Sequence, residues 1–160
     1  MKGRDRMNKV SINLKSVSCT VGAEPDVMEF MTEGTLSPAE SDGRNGWELS
    51  YSDSELTGFT GSTTKVRCFG RDLVSMSRTG EFDQNLIIEY GKKHHCDYDT
   101  EFGRMVLGIY THSIINKLTE NGGELYFRYT IDANGAMVSD NEVLLEVSPQ
   151  NTRRKEKTDG

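Results

Sequence analysis

The chain has 160 residues, 34% of them apolar, with 16 glycines and 3 prolines. That is one domain's length, able to bury a core without staples and rich in the residue that tight turns between short strands use. A formal net charge of −6 excludes the basic face that nucleic-acid binding needs, and the three scattered cysteines Cys19, Cys68 and Cys96 do not make a secreted disulfide framework.

Residues 1–7 read as a flexible basic N-terminus, where Lys2, Arg4 and Arg6 outweigh Asp5. No apolar h-region follows it and no stretch reaches the ~20 apolar residues of a membrane helix. No signal peptide or membrane partner is therefore expected, and the expected compartment is cytoplasmic. From residue 8 the apolar residues recur with period two. Val10, Ile12 and Leu14 open the pattern; Met28, Phe30 and Thr32 continue it, then Trp47, Leu49 and Tyr51. Thr64, Val66 and Cys68 follow, then a strand over 73–78 introduced by the turn Gly70-Arg71-Asp72, then Leu86, Ile88 and Tyr90.

Met105, Leu107, Ile109 and Thr111 form one face of the next strand, with Gly108 as an expected bend or bulge. The stretch 111–118 reads as that strand continued and bent, with a short helical turn as the alternative. Leu125, Phe127, Tyr129 and Ile131 alternate strictly with polar residues up to Asn134-Gly135, a pair suited to a type I′ hairpin turn. Val143, Leu145 and Val147 complete nine strands before Pro149. Residues 8–148 thus read as a single all-β domain, an antiparallel up-and-down closed barrel of about 8–9 strands, because closing a meander removes its two exposed edges. Residues 149–160 read as a disordered basic tail carrying Arg153, Arg154, Lys155 and Lys157.

Several segments carry a resemblance as well as a pattern: 30–35 (Phe-Met-Thr-Glu-Gly-Thr), Ser50-Tyr51, 61–66 (Gly-Ser-Thr-Thr-Lys-Val), 77–80 (Ser-Arg-Thr-Gly), 99–103 (Asp-Thr-Glu-Phe-Gly), and Tyr126 to Asp132. In this order and spacing the chain resembles the YwiB-like family of uncharacterised bacterial proteins over nearly all of 8–148, departing at Glu101, where a proline would be expected. The resemblance implies a calycin-type, lipocalin-like barrel. It implies no catalytic residues.

Three constellations could carry chemistry. The run 92–97 (Lys-Lys-His-His-Cys-Asp) holds metal-capable side chains. Adjacent histidines on a strand, however, point to opposite faces, and a fourth ligand at a recognised interval is missing. It reads as an exposed hairpin tip without a metal. The run 58–65 does not fit a phosphate-binding GxxxxGK[ST] loop, and no helix pattern follows it. It reads as a turn entering a threonine-rich strand.

The third set consists of polar and aromatic residues in phase with apolar strand faces: Tyr51, Thr64, Arg78, Tyr90, Thr111 and Tyr129. In a small barrel such faces point inward, and a buried guanidinium or hydroxyl needs a partner. The functional expectation is a small amphipathic or anionic ligand bound in the interior, without catalysis or cofactor. The alternative is a plugged barrel in which Arg78 pairs with a carboxylate such as Glu29 or Glu55. A structural or interaction module, homodimeric through a strand edge or the 111–118 segment, is a second class of function. An enzyme, which would have to use His94, His95 or Arg78, is a third.

Overall fold

The computed structural model describes residues 7–54, 60–81, 84–100 and 103–150. Ten strands follow one another along the chain: β1 (Asn8–Thr20), β2 (Asp26–Ser41), β3 (Arg44–Ser52), β4 (Ser62–Phe69), β5 (Leu73–Gly80), β6 (Gln84–Glu89), β7 (Lys93–Thr100), β8 (Gly103–Asn116), β9 (Gly123–Ala133) and β10 (Ala136–Pro149). They form one sheet in the order β6-β5-β4-β3-β2-β1-β10-β9-β8-β7. Every hydrogen-bonded pair of strands is antiparallel, and the first strand pairs with the last. This is an up-and-down barrel, nearly closed, with its seam at the consecutive strands β6 and β7. Among the described residues there is no helix long and apolar enough to cross a membrane.

The expected strands are present, and the tenth is β7, formed by the residues read as a hairpin tip. That reading failed because Lys92 to Asp97 has no apolar alternation to report. The segment is held by backbone pairing to β8 rather than by burying a face. Asn134 and Gly135 have φ of 52° and 87°, the positive pair that a type I′ turn requires. Asp42 and Gly43 make a second such turn, with φ of 48° and 79°, between β2 and β3.

The bend expected at Gly108 lies elsewhere. Pairing is regular through Gly108, and the register shift in β8 falls between Thr111 and Ser113. The glycine serves another purpose: a Cβ there would sit 2.8 Å from Asp132 Oδ1, so its absence lets that carboxylate reach over the outer face of β8. Past the shift the strand continues to Asn116, which is the bent continuation expected over 111–118.

The inner face is layered by register. Leu36, Leu49, Val66, Met76 and Leu86 lie directly opposite one another across five strands, and Trp47, Cys68, Val74 and Ile88 form the row beneath. On the other side Leu14, Leu145 and Leu125 align below Val143 and Phe127. Their removal from water is the main stabilising term of the barrel.

Candidate functional site

Above the apolar rows lies a polar one. Tyr51 faces Thr64, Thr64 faces Arg78, and Arg78 faces Gln84, in unbroken register across β3, β4, β5 and β6. One step beyond Tyr51 in the same phase is Asp53, just past the end of β3, and it is buried. Its Oδ2 accepts the Thr64 hydroxyl at 2.7 Å and Arg78 Nε at 3.3 Å. Arg78 Nε also lies 3.2 Å from Thr64 Oγ1, and its Nη1 donates to Gln84 Oε1 at 3.3 Å. The Asp53 side chain is 0% exposed and that of Arg78 15%, so the pair sits where water screens it poorly.

Tyr51 lies against this group. Burial pushes its phenol up to about 12, the Asp53 charge adds to the shift, and Arg78 opposes it. Tyr129 comes in from β9 and is raised by burial as well. With Thr64, Met76, Ser77, Arg78, Gln84 and Leu86 it lines a pocket of about 190 Å³. Directly opposite Tyr129 on β8 is Thr111, 1% exposed. Its hydroxyl is buried without a hydrogen-bond partner among the described residues, a state that costs about 1–3 kcal/mol when nothing satisfies it.

Of the six residues singled out in the sequence, the pocket gathers Thr64, Arg78 and Tyr129, with Tyr51 packed beside Thr64 and Thr111 beside Tyr129. Tyr90 departs from expectation. It shares the phase of buried Ile88, yet it is 57% exposed. Strand β6 ends at Glu89 and Gly91 takes φ of 75°, so the chain swings outward and Tyr90 bridges Thr111 at the seam through its backbone.

Among the described residues the carboxylate facing Arg78 is Asp53. Glu29 lies on the outside of β2, where its Oε2 accepts from Asn13, and Glu55 lies outside the described residues, as do Gly58 and Phe59 of the 58–65 run. Asp53 and Gln84 were missed, although each extends a strand's inward phase by one step: 51 to 53, and 88 through 86 to 84.

The histidines behave as their adjacency implies. His94 is half-buried with Nε2 2.8 Å from Glu89 Oε1 across the seam, while His95 is exposed. No three His, Cys, Asp or Glu side chains converge on a common point among the described residues.

Comparison with known proteins agrees with this architecture. The model of a domain of unknown function, DUF1934, matches residues 12–145. A crystal structure of the ywiB protein from Bacillus subtilis superposes with a TM-score of 0.65 at 21% identity, covering 91% of this chain and 95% of that one; the likeness concerns the fold. The comparison with curated proteins finds no match. With most of its barrel covered by that family model, the chain belongs to the DUF1934 family.

Proposed function

We propose that the barrel is a non-catalytic binding module, a lipocalin-like use of the interior, holding a small amphipathic molecule in the pocket at Arg78. The observation that carries this reading is the composition of the pocket wall. Arg78, Gln84, Thr64 and Tyr129 present hydrogen-bonding groups on one part of it, and Met76 and Leu86 present apolar surface on another. A few convergent polar groups against an apolar wall are what orient a ligand. The unsatisfied Thr111 hydroxyl beside Tyr129 supports the same reading, because a bound molecule or water there would supply the missing partner.

The pocket also limits the occupant. At about 190 Å³ it falls below the roughly 300–1,000 Å³ of a drug-sized site. Arg78 is already neutralised by Asp53, so the head group is held by directed hydrogen bonds rather than by net charge. An acceptor head on a short alkyl chain fits these terms.

Titration with hexanoate, hexanol and hexylamine by isothermal calorimetry tests the proposal. Hexanoate or hexanol should bind at least about tenfold more tightly than hexylamine, a difference of about 1.4 kcal/mol. Equal affinity for all three, or no binding by any, would overturn it.

A second reading rests on the Asp53–Arg78 pair itself. Because the guanidinium has a buried carboxylate partner, the polar row can serve as an internal plug that fixes the barrel's register, leaving the outer surface as the working part. In that case Arg78→Met alters stability and no probe binds.

A further inference from the structure

The sheet ends at β7, and that edge carries a pattern of its own. Among the described residues the backbone of β7 pairs only with that of β8, so beyond the His94–Glu89 side-chain contact its other side presents a row of backbone donors and acceptors ready to pair with another strand. Exposed residues alternate along it as Lys93, His95 and Asp97, with half-buried His94 and Cys96 between them. About His95 the segment is charge-antisymmetric: two residues before it stands a cation, two residues after it an anion.

We propose that β7 is the interface of a two-fold dimer, in which the edge strands of two copies pair antiparallel about His95. In that register Lys93 of each copy lies opposite Asp97 of the other, twice by symmetry. His94 lies opposite the partner's Cys96, and the two His95 residues face each other. Opposite charges placed directly across an antiparallel pair stabilise it, and like charges in the same place destabilise it.

The surroundings extend the complementarity. Lys93 Nζ lies 2.6 Å from Asp132 Oδ2, and Arg104 Nη1 lies 3.6 Å from Asp97 Oδ2. Side by side, these pairs form a row of alternating sign across the junction: Asp132, Lys93, the partner's Asp97, the partner's Arg104. The gap at Gly108, over which the Asp132 carboxylate reaches, keeps Lys93 in place at its end of this row. The register about Cys96 would set Lys93 opposite the partner's Asp99 but would leave Asp97 opposite a histidine, whereas the register about His95 sets both Lys93 and Asp97 opposite full charges of the other sign. A self-complementary patch of this kind closes as a dimer rather than propagating. Its short strand makes the dimer weak and concentration-dependent.

Sedimentation velocity over a wide concentration range tests the proposal. The native chain should move from monomer to dimer as concentration rises. Lys93→Asp places an aspartate opposite the partner's Asp97, and Asp97→Lys places a lysine opposite the partner's Lys93, so each variant alone should stay monomeric. In an equimolar mixture each mixed pair of chains sets the two aspartates of one chain opposite the two lysines of the other, so mixing should restore the dimer as a heterodimer. The double variant Lys93→Asp/Asp97→Lys, which exchanges the two charges within one chain, sets opposite charges across the axis again and should dimerise like the native chain. As a second readout, His95→Cys in a Cys19→Ser/Cys96→Ser background puts two thiols across the axis. The Cα separation of directly opposed strand residues, about 4.5–5.5 Å, falls within disulfide range, so mild oxidation should yield a covalent dimer. A native chain that stays monomeric, single variants that dimerise like the native chain, or a double variant that does not recover would each overturn the proposal. Absence of the disulfide dimer would do the same.

Discussion

Asp53, just past the end of β3, and Arg78 on β5 form an ion pair at 3.3 Å although they lie 25 residues apart in the chain. The carboxylate has no exposed surface, so it depends on Arg78 and on the Thr64 hydroxyl for what water would otherwise provide. Removing one partner of such a pair is costlier than removing both. Asp53→Ala should destabilise the barrel by about 3 kcal/mol, and Asp53→Ala/Arg78→Met by distinctly less than the sum of the single changes. Urea denaturation of the four proteins checks this; additive losses would show that the two side chains do not depend on each other.

Tyr51 carries a pH dependence of its own. Its folded phenol is pushed up to about 12 from an ordinary value of 10.0, so between these values the folded chain keeps a proton that the unfolded chain has lost. The stability linked to this group is complete below pH 10.0 and is lost as pH rises through about 12. Tyr51→Phe should flatten the fall in stability across that window, leaving the part contributed by Tyr126 and Tyr129, whose phenols are also raised. Denaturation midpoints measured at successive alkaline pH values decide it, and parallel curves for the two proteins would contradict the assignment.

Gly34 on β2 lies between Val10 of β1 and Tyr51 of β3. An added Cβ would run into the Ser50 carbonyl oxygen and approach Ile12 Cδ1 at 3.0 Å. The backbone atom cannot move without disturbing the β2–β3 ladder. Gly34→Ala is expected to lower stability by about 1–3 kcal/mol, the range for overpacking. Gly34 has an ordinary φ, so the cost is steric, and thermal unfolding of Gly34→Ala alongside the native chain measures it.

The three cysteines should differ in reactivity. Cys19 is exposed and Cys68 buried, and burial pushes the Cys68 thiol up to about 11, away from the thiolate form that reacts. With Ellman's reagent in native buffer, Cys19 should react promptly, Cys96 more slowly and Cys68 only on unfolding. Three thiols reacting at one rate would show that the apolar rows are open to solvent.

Thr111→Val replaces a buried unpartnered hydroxyl with a methyl group of similar shape. Without ligand the change should be neutral or stabilising, by up to about 1 kcal/mol, whereas hexanoate binding should weaken. A loss of stability with unchanged binding would assign the hydroxyl a partner within the protein.

Much of the fold was readable from alternation. A half-buried strand repeats every two residues, and the rows through Leu49 and Val66 or Phe127 and Val143 follow from that repeat and the turns between strands. What escaped lacks the signal. Strand β7 buries little and owes its place to pairing with β8, so its run of lysines and histidines resembles a loop. At the site, Arg78, Thr64 and Tyr129 were visible because they share a phase with core residues. Asp53 and Gln84 lie at strand ends, where a local repeat has too few neighbours to show which way a side chain points. Tyr90 was misplaced for the same reason, since one glycine turn after β6 is enough to carry it outside. The choice of Asp53 as partner for Arg78 depends on the stagger of β3 against β5, a non-local quantity.

The central claim, that the pocket at Arg78 holds an amphipathic molecule, is tested most directly by following hexanoate binding with ¹H–¹⁵N correlation spectra of the native chain and of Arg78→Met. The account predicts saturable shifts confined to the Arg78 Nε–Hε signal and to the amides around Thr64, Leu86 and Tyr129. It also predicts at least about a tenfold loss of affinity in Arg78→Met, with the spectrum otherwise that of a folded barrel. Shifts that fall elsewhere, or equal binding by both proteins, would contradict it.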